Sequence, residues 1–270
     1  MKKIVFFDLD RTLLNSDLEV LKENQEAIKK ALENNIEIVI CSGRQHSQVR
    51  YYQKKAGAGR YIITANGAEI YDTLEEEQLF NCSLEKEFCR ELYNYALEKD
   101  LFFRIDTRYA RYFNQEQNRL LDEILFNEES NKFFNDNNVL QFSVGSVDSK
   151  KIDDLIEYLK RFPSVKVECR YTSRITEDKL DIINILNKNA SKGNAISGLC
   201  KYLKIDSKDA FAFGDDYNDL SMLEAVGHPI AMENACDELK SIAEEVISDN
   251  NKPGIAEILK RIIEENKEQN

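Results

Sequence analysis

Histidine is scarce in this chain of 270 residues, which contains only His46 and His228. Multi-histidine metal sites and histidine proton relays are therefore nearly excluded. No stretch approaches the roughly 18 consecutive apolar residues that a transmembrane helix needs. There is also no Pro-, Gly- or Ser-rich tract that would mark a linker or a low-complexity segment. The chemistry must therefore rest on carboxylates, hydroxyls or lysine.

The six cysteines form no C-x-x-C pair and no short framework spacing. A chain of this length buries a core large enough to fold without disulfide bonds. We therefore expect free thiols in a reducing cytosol and a cytoplasmic protein. The N-terminal apolar run imitates a signal peptide only faintly, because Asp8 and Asp10 interrupt it well below the length of a hydrophobic signal region.

Basic residues are fewer than acidic ones: the chain has 37 Lys and Arg and 49 Asp and Glu, which gives a formal net charge of −12. A field of this sign disfavours nucleic acid and anionic membranes as partners. The hydrophobic content of 42% is typical of a folded chain rather than a disordered one. At about 150 residues per domain, the length predicts two domains. The sequence does not indicate an oligomeric state.

Strand and helix patterns alternate in the first third of the chain. Ile4–Phe7 is a continuous apolar run, typical of a central parallel strand that is buried on both faces. A helix that ends at Asn34 follows, and strands at Glu37–Cys41 and Tyr61–Thr64 flank a second helix at Gln45–Lys55. This order predicts a doubly wound, Rossmann-like parallel sheet of the α/β class. The apolar face of the first helix is predicted to comprise Leu18, Leu21, Ile28, Ala31 and Leu32.

The middle of the chain has closely spaced strands and few helices, which predicts an α+β domain with an antiparallel sheet. From Ser191 the α/β pattern returns. We therefore predict a core formed by residues 1–82 and 186–270, with an α+β insertion at residues 83–185. The elements predicted in the insertion are helices at Phe88–Ala96, Asn118–Phe126 and Ile152–Lys160, and strands at Leu101–Asp106, Tyr109–Phe113, Val139–Gly145 and Val165–Arg170. Those predicted after it are helices at Gly193–Leu203, at Leu220–Val226, after Ala235 and from Gly254, and strands at Ala210–Phe213 and Pro229–Met232.

Two carboxylates, Asp8 and Asp10, directly follow the first predicted strand. The carboxyl ends of strands are where open α/β sheets bind ligands. Two carboxylates so close repel each other unless a cation lies between them, which implies a hard divalent metal such as Mg²⁺. An isolated D-x-D pair is also common as a cap on a turn, so this motif alone is weak.

Three further segments strengthen the case. Ser42–Arg44 ends the second strand with a hydroxyl and a glycine, which lets backbone N–H groups approach a ligand. Gly214–Asp219 ends a later strand with an acidic cluster, and Ser191–Gly193 places a lysine at a predicted helix start, where anions are favoured. Each segment has an ordinary explanation as a turn, a solvated loop or a surface lysine. Their common position at strand ends and a helix start favours a site.

In this order the motifs resemble the haloacid dehalogenase superfamily of phosphotransferases, and within it the Cof-type phosphatases that carry an α/β cap. The resemblance covers essentially the full chain, although the insertion itself carries no specific motif. The matching segments are Asp8–Leu13 (D-L-D-x-T-L), Ser42–Arg44 (S-G-R), Asn66–Ala68 (N-G-A), Ser191–Gly193 (S-K-G), Gly214–Asp219 (G-D-D-x-N-D), Ala231–Ala235 (A-M-E-N-A) and Asn250–Ile255 (N-N-K-P-G-I).

The resemblance implies an Mg²⁺-dependent phosphatase that hydrolyses small phosphorylated metabolites, such as sugar phosphates or phosphorylated cofactors. It makes Asp8 the nucleophile that becomes an aspartyl phosphate, and Asp10 the general acid and base. Mg²⁺ would bind Asp8, the backbone carbonyl of Asp10 and Asp215. Asp216 and Asp219 would support these ligands through hydrogen bonds, with Asp219 as an alternative ligand. The phosphate and substrate would contact the backbone N–H of Leu9, and Ser42, Gly43, Arg44, Lys192 and Asn218.

One position departs from the family pattern, which usually has glycine where this chain has Arg11. An arginine there adds bulk and a positive charge beside the catalytic loop. It could narrow access, alter Asp10, contact the substrate or an acidic neighbour, or point outward harmlessly. We expect activity to survive.

The insertion is expected to close over the phosphate site and to contact the leaving group. Its candidate substrate contacts are Arg104, Arg108, Arg111, Arg170 and Arg174, although each is more commonly an ordinary surface residue. Other functions that use a similar pocket are a phosphomutase, a low-turnover module that binds phosphorylated metabolites, and a receiver-type phospho-acceptor. Asp10 distinguishes a hydrolase from the last two, because a hydrolase needs an acid and base, whereas a binding module or a slow phospho-acceptor does not.

Overall fold

The computed structural model describes residues 2–114, 123–126, 130–173 and 179–268. The chain forms two compact units. One, here called the core unit, comprises Met1–Arg44, Gln48–Phe80 and Ser191–Asn270. The other, the inserted unit, comprises Gln45–Ser47 and Asn81–Ala190.

The strands in chain order are β1 (Ile4–Phe7), β2 (Glu37–Cys41), β3 (Tyr61–Thr64), β4 (Glu69–Asp72), β5 (Glu77–Asn81), β6 (Phe102–Asp106), β7 (Arg111–Phe113), β8 (Glu123–Leu125), β9 (Gln141–Ser146), β10 (Val165–Ser173), β11 (Leu180–Asn187), β12 (Ala210–Gly214), β13 (His228–Met232) and β14 (Glu245–Ile247). The helices are α1 (Lys22–Glu33), α2 (His46–Ala56), α3 (Lys86–Glu98), α4 (Ser130–Asp136), α5 (Ser149–Leu159), α6 (Lys192–Leu203), α7 (Leu220–Glu224), α8 (Asp237–Ile242) and α9 (Gly254–Glu268).

The core unit is built on a sheet in the order β14-β13-β12-β1-β2-β3-β4-β5. The pairs from β14 to β3 are parallel, and β4 pairs antiparallel with β3. Strand β1 is buried on both faces, as its sequence predicts. Val5 and Phe7 pack in a cluster with residues of α1 and α9, whereas Ile4 and Phe6 pack in a second cluster with residues of α6. The predicted doubly wound α/β fold is confirmed.

Connections from β1 lead to β2 and β3 on one side, while β12 and β13 lie on the other side. This reversal of strand order creates a crevice at the carboxyl end of β1, where sheets of this type bind ligands. The fold therefore places the segments after β1, β2, β3 and β12 along one edge.

The inserted unit has a second sheet in the order β10-β11-β9-β6-β7-β8. Its pairs are antiparallel except for the parallel pair β7 and β8. One face of this sheet packs apolar side chains such as Phe103, Phe142 and Ile183 against residues of α3, α4 and α5. This arrangement is the α+β architecture that the strand spacing predicts.

The structure corrects some predicted elements. Leu18 does not lie on the first helix, because it adopts φ 57° in a turn before α1 begins. Residues 123–125, predicted as helix, pair with β7 as a strand. The rest of that predicted helix lies outside the described residues, except Phe126, which follows the strand without helical structure. Strands β4, β5, β11 and β14 and helix α4 escaped prediction, because their short apolar runs are interrupted by Asp, Asn or Glu.

Candidate active site

Five polar residues meet at the carboxyl edge of the core sheet. Asp8 follows β1, Ser42 follows β2, Asn66 lies just beyond β3, and Asp215 follows β12. Lys192 is the first residue of α6, after the N-cap Ser191 whose side chain accepts a hydrogen bond from Asn194 N. Because each residue is fixed by a strand end or a helix start, the parallel sheet itself aligns them.

Lys192 has a fully buried side chain that joins two carboxylates. Its Nζ donates to Asp8 Oδ1 at 2.6 Å and to Asp219 Oδ1 at 2.5 Å. Burial opposes the charge on this lysine, but the attraction of Asp219 and Asp8 outweighs it and raises the lysine's pKa. Burial raises the pKa of Asp8 well above its usual value, with Lys192 opposing that effect. Lys192 therefore stays protonated, whereas burial makes ionisation of the neighbouring Asp8 carboxyl group costly.

Asp215 is buried and has one unused oxygen. Thr12 Oγ1 donates to its Oδ1 at 3.0 Å, while Oδ2 has no hydrogen-bond partner among the described residues. Burial and the nearby charge of Asp219 raise the pKa of Asp215 to about 7. A buried carboxylate oxygen without a donor is one that a further cation would satisfy.

Asp219 uses both of its oxygens within the protein. Oδ1 accepts from Lys192, and Oδ2 accepts from the backbone N–H groups of Asp215 and Asp216 at 2.9 and 3.2 Å. The Asp216 side chain in turn accepts from the backbone N–H of Asp219, which completes a capping box between the two residues. Asp219 therefore orients Lys192 and the loop that carries Asp215.

Asp8, Asp215 and Asp219 offer carboxylate oxygens that lie within 4.8 Å of one another, and all three residues are buried. One lysine cannot neutralise three carboxylates, so the cluster retains excess negative charge if all three ionise. Oxygen ligands of this kind suit a hard divalent cation. The donor set and the unpartnered Asp215 oxygen fit Mg²⁺, with Asp8 and Asp215 as the freer ligands.

Asp10 lies outside this cluster and is paired with Arg44. The guanidinium binds its carboxylate in a bidentate manner, with Nε 2.7 Å from Oδ2 and Nη2 2.5 Å from Oδ1. The same guanidinium lies 5.0 Å from the ring centre of Tyr52. Two parallel charge-assisted bonds fix the direction of the Asp10 side chain.

Ser42, Gly43, Asn66 and Asn218 form a second, uncharged part of the site. Ser42 Oγ accepts from Arg44 N, and Asn218 Nδ2 donates to Asn66 Oδ1 at 3.0 Å. A Cβ at Gly43 would lie 2.8 Å from that same Asn66 oxygen, so a side chain there would displace the Asn66 amide. The S-G-R turn and the acidic loop are thus linked through Asn66.

Gly67 brings the segment after β3 against the start of α6. It adopts φ 88°, and a Cβ there would lie 2.1 Å from Ser191 O. A side chain is excluded by both the backbone conformation and the contact. The N-G-A segment therefore packs against the start of α6, next to Lys192.

Arg11 occupies a backbone conformation with φ 61°. This left-handed region favours glycine, which accounts for the residue usual at this position in the family pattern. Its Nη2 donates to Asn234 O at 3.2 Å, and its Nε lies 3.6 Å from Asp215 Oδ2. Arg11 thus contacts an acidic neighbour, one of the outcomes that its presence suggested.

Thr12, Asn66, Asn234 and Asn250 were not among the predicted site residues. Asn234 Nδ2 donates to Arg11 O, and Asn250 Nδ2 donates to Leu14 O, so two late segments brace the loop after β1. Leu9 is fully buried within that loop. All four residues lie inside recognised motifs, but only the three-dimensional contacts reveal what they hold.

The arginines predicted to contact substrate differ in their surroundings. Arg104 and Arg111 contact Asp106, and Arg170 contacts Asp153 and Asp181. Arg108 lies 5.7 Å from the ring centre of Tyr109, and Arg174 is outside the described residues.

The six cysteines are free, as predicted. In the part of the chain that the structure describes, no helix is both long and apolar enough to cross a bilayer.

A buried cluster of three carboxylates and a lysine, at the carboxyl edge of a doubly wound sheet, is an arrangement suited to phosphoryl transfer. The sequence pattern of the haloacid dehalogenase-like hydrolases matches residues 5–259. The chain belongs to this family. The predicted family and the predicted enzyme class, a phosphatase, are confirmed.

Two relatives and a solved structure match this chain over nearly its whole length. Phosphatase YwpJ of Bacillus subtilis (strain 168) is 29% identical, covering 97% of this chain and 100% of its own. The 5-amino-6-(5-phospho-D-ribitylamino)uracil phosphatase YwtE of the same organism is also 29% identical, covering 97% and 98%. A haloacid dehalogenase-like hydrolase structure from B. subtilis matches with a TM-score of 0.79 at 26% identity, covering 96% of this chain and 99% of that one.

Proposed function

We propose that the protein is a Mg²⁺-dependent phosphatase that hydrolyses small phosphorylated metabolites through an aspartyl phosphate on Asp8. The observation that carries this proposal is the buried Lys192, which binds Asp8 and Asp219 while the nearby Asp215 keeps an oxygen without a donor. One cluster thus contains a candidate nucleophile (Asp8), a cation that can bind an anion (Lys192) and a carboxylate oxygen that can bind a metal (Asp215).

In the first half of the reaction, the Asp8 oxygen that Lys192 does not hold would attack phosphorus. The bond from phosphorus to the leaving oxygen breaks, and a proton from Asp10 passes to that oxygen. Lys192, the N–H of Leu9, and the Ser42 and Asn218 side chains would hold the phosphoryl oxygens, with Gly43 allowing close approach. Phosphoryl transfer depends chiefly on such positioning and charge stabilisation.

Mg²⁺, held by Asp8, Asp215 and the backbone carbonyl of Asp10, would neutralise charge that develops on the phosphoryl group. Asp219 and Asp216 support these ligands through the loop hydrogen bonds described above. In this arrangement the chain's own contribution is to aim the Asp8 oxygen and to keep Asp215 fixed by Thr12.

In the second half, water would attack the phosphorus of the aspartyl phosphate. Asp10 accepts a proton from that water, the bond between phosphorus and Asp8 breaks, and phosphate leaves. Asp10 must reach the leaving oxygen in the first half and the attacking water in the second, so its bidentate contact with Arg44 must loosen or shift when substrate binds. Arg44 would then be available to the substrate's phosphoryl oxygens.

For the substrate, we propose a small phosphorylated metabolite with a polar, hydroxyl-rich leaving group. The name of one relative specifies a phosphorylated ribityl compound, which is of this kind. We further propose that residues 83–185 form the cap domain that selects the leaving group.

Hydrolysis of p-nitrophenyl phosphate, measured with Mg²⁺ and with EDTA, tests the proposal. We expect phosphate release only with metal, and its loss in Asp8→Asn with the circular dichroism spectrum unchanged. A panel of sugar and polyol phosphates would then establish the substrate class. If the wild-type protein releases no phosphate with Mg²⁺, Mn²⁺ or Co²⁺, the proposal is wrong.

A further inference from the structure

Arg11 places a positive charge beside a proposed metal ligand. Its Nε lies 3.6 Å from Asp215 Oδ2, the oxygen that accepts no hydrogen bond from the described residues. The Arg11 side chain is 63% exposed, whereas that of Asp215 is almost fully buried. The guanidinium thus faces the carboxylate from the solvent side.

Asn234 contacts both the guanidinium and the backbone of Arg11. Arg11 Nη2 donates to Asn234 O, and Asn234 Nδ2 donates to Arg11 O. Asn234 Oδ1 in turn accepts from Asn250 N. The arginine is therefore held at Asp215 by a braced loop rather than by the carboxylate alone.

We propose that Arg11 is a built-in competitor of the divalent metal and sets a low affinity for Mg²⁺. The inference rests on the metal site of the proposed function. A guanidinium and a divalent cation that share the Asp215 carboxylate repel each other, so binding of the metal requires Arg11 to withdraw or to tolerate that repulsion. The retained strained backbone at φ 61° is consistent with a side chain that has a role there.

Three substitutions separate charge from backbone conformation. Arg11→Gln removes the charge and keeps a side chain at positive φ. Arg11→Lys keeps the charge without the planar fork, and Arg11→Gly removes the charge and relieves the backbone strain. Asp215→Asn serves as the control that removes the proposed ligand.

The readout is the dissociation constant for Mg²⁺, measured by isothermal titration calorimetry without substrate. We expect Arg11→Gln and Arg11→Gly to bind Mg²⁺ about tenfold more tightly than wild type, and Arg11→Lys to remain within about threefold of it. The difference between wild type and Arg11→Gln should shrink in high salt, because the arginine is exposed to screening ions. A purely structural role for Arg11 would not give that salt dependence.

The outcomes distinguish this inference from the proposed function. Equal dissociation constants in wild type and Arg11→Gln, with binding lost in Asp215→Asn, would overturn the role of Arg11 and leave the metal site standing. If no variant binds Mg²⁺ in an Asp215-dependent way, the metal site fails and the inference fails with it. Tighter binding in Arg11→Gln but not in Arg11→Lys supports the inference.

Discussion

Lys192 donates to both Asp8 and Asp219, and it does so from a fully buried position. A buried ion pair contributes little net stability compared with apolar packing, but removal of one partner is costly. The stability of the core therefore does not explain why a lysine is buried between two carboxylates. Its value lies in holding a cation where the phosphoryl group is expected to bind.

Replacement of this lysine tests that role. Lys192→Met should lower kcat/KM by at least about 100-fold, because the cation that orients Asp8 and offsets phosphoryl charge is lost. It should also lower the free energy of unfolding at pH 7 by about 3 kcal/mol, because buried carboxylates lose their partner. Steady-state kinetics and denaturant unfolding measure the two effects.

A matched control lies on the same helix. Lys201 is exposed near the end of α6, and Lys201→Met should change stability by less than about 0.5 kcal/mol and leave kinetics unaltered. Wild-type kcat/KM in Lys192→Met would rule out the proposed role of the lysine.

Arg44 is a second residue whose contacts suggest a role in positioning. Arg44→Ala should reduce kcat/KM by about 100-fold, because the substrate's phosphoryl oxygens lose the cation that the loosened contact with Asp10 makes available. Arg44→Lys should recover only part of the loss, because an ammonium cannot form the bidentate contact. Kinetics with p-nitrophenyl phosphate provide the measurement.

The comparison for Arg44 is Arg50, which contacts Gln53 and the Thr73 carbonyl in the same unit. Arg50→Ala should alter stability but not kcat. If Arg44→Ala behaves like Arg50→Ala, then Arg44 has only a structural function.

At the scale of elements, continuous apolar strands were predicted well. The spans of β1, β2 and β3 agree with prediction, because strands buried on both faces have uninterrupted hydrophobic runs. Strand β11 was missed, since Asp181 and Asn184, which lie on opposite faces of the inserted sheet, interrupt its apolar run. Which polar residues would pack together across strands depends on pairing, and sequence periodicity carries no information about pairing.

The site shows the same limit. The motifs place Asp8, Asp215, Asp219 and Lys192 after strands or at a helix start, and the structure brings these four residues together at one edge of the parallel sheet. The Arg44 contact with Asp10 and the role of Asn66 depend on side-chain directions that a motif does not specify. The positive φ of Arg11 was equally hidden from the sequence.

The turn after β3 offers a test at this scale. Gly67→Ala should lower the free energy of unfolding by about 3 kcal/mol or more and reduce activity, because a Cβ would clash with Ser191 O beside Lys192. Gly57 provides the matched control, since it adopts φ 64° with nothing within 4 Å of a Cβ. Gly57→Ala should cost only about 1 kcal/mol, the penalty of the left-handed conformation alone.

Chemical denaturation followed by circular dichroism, with parallel kinetics, measures both variants. Equal losses in Gly67→Ala and Gly57→Ala would show that the contact with Ser191 is unimportant and that only the backbone conformation matters.

At the scale of the whole molecule, aspartates paired with arginines make the stability of both units depend on pH. Arg60 binds Asp72 in the core unit, and Arg104 and Arg111 bind Asp106 in the inserted unit. Burial opposes ionisation of each aspartate, but the arginines outweigh it and lower the pKa of both. A folded-state pKa below the unfolded value of about 3.9 stabilises the protein above that pH. The stabilisation is lost as the pH falls through the folded-state pKa.

Asp106→Asn isolates this contribution in the inserted unit. At pH 7 the variant should have a free energy of unfolding about 3 kcal/mol below wild type, because two arginines lose a buried counter-charge. The difference should shrink as the pH falls below about 4, since the wild-type aspartate then becomes protonated and resembles the amide. Unfolding curves measured by circular dichroism between about pH 3 and pH 8 give this difference directly.

Asp154→Asn, at an exposed position on α5, should stay within about 0.5 kcal/mol of wild type at every pH. A difference that remains constant or grows toward acid would mean that the charge of Asp106 does not stabilise the inserted unit.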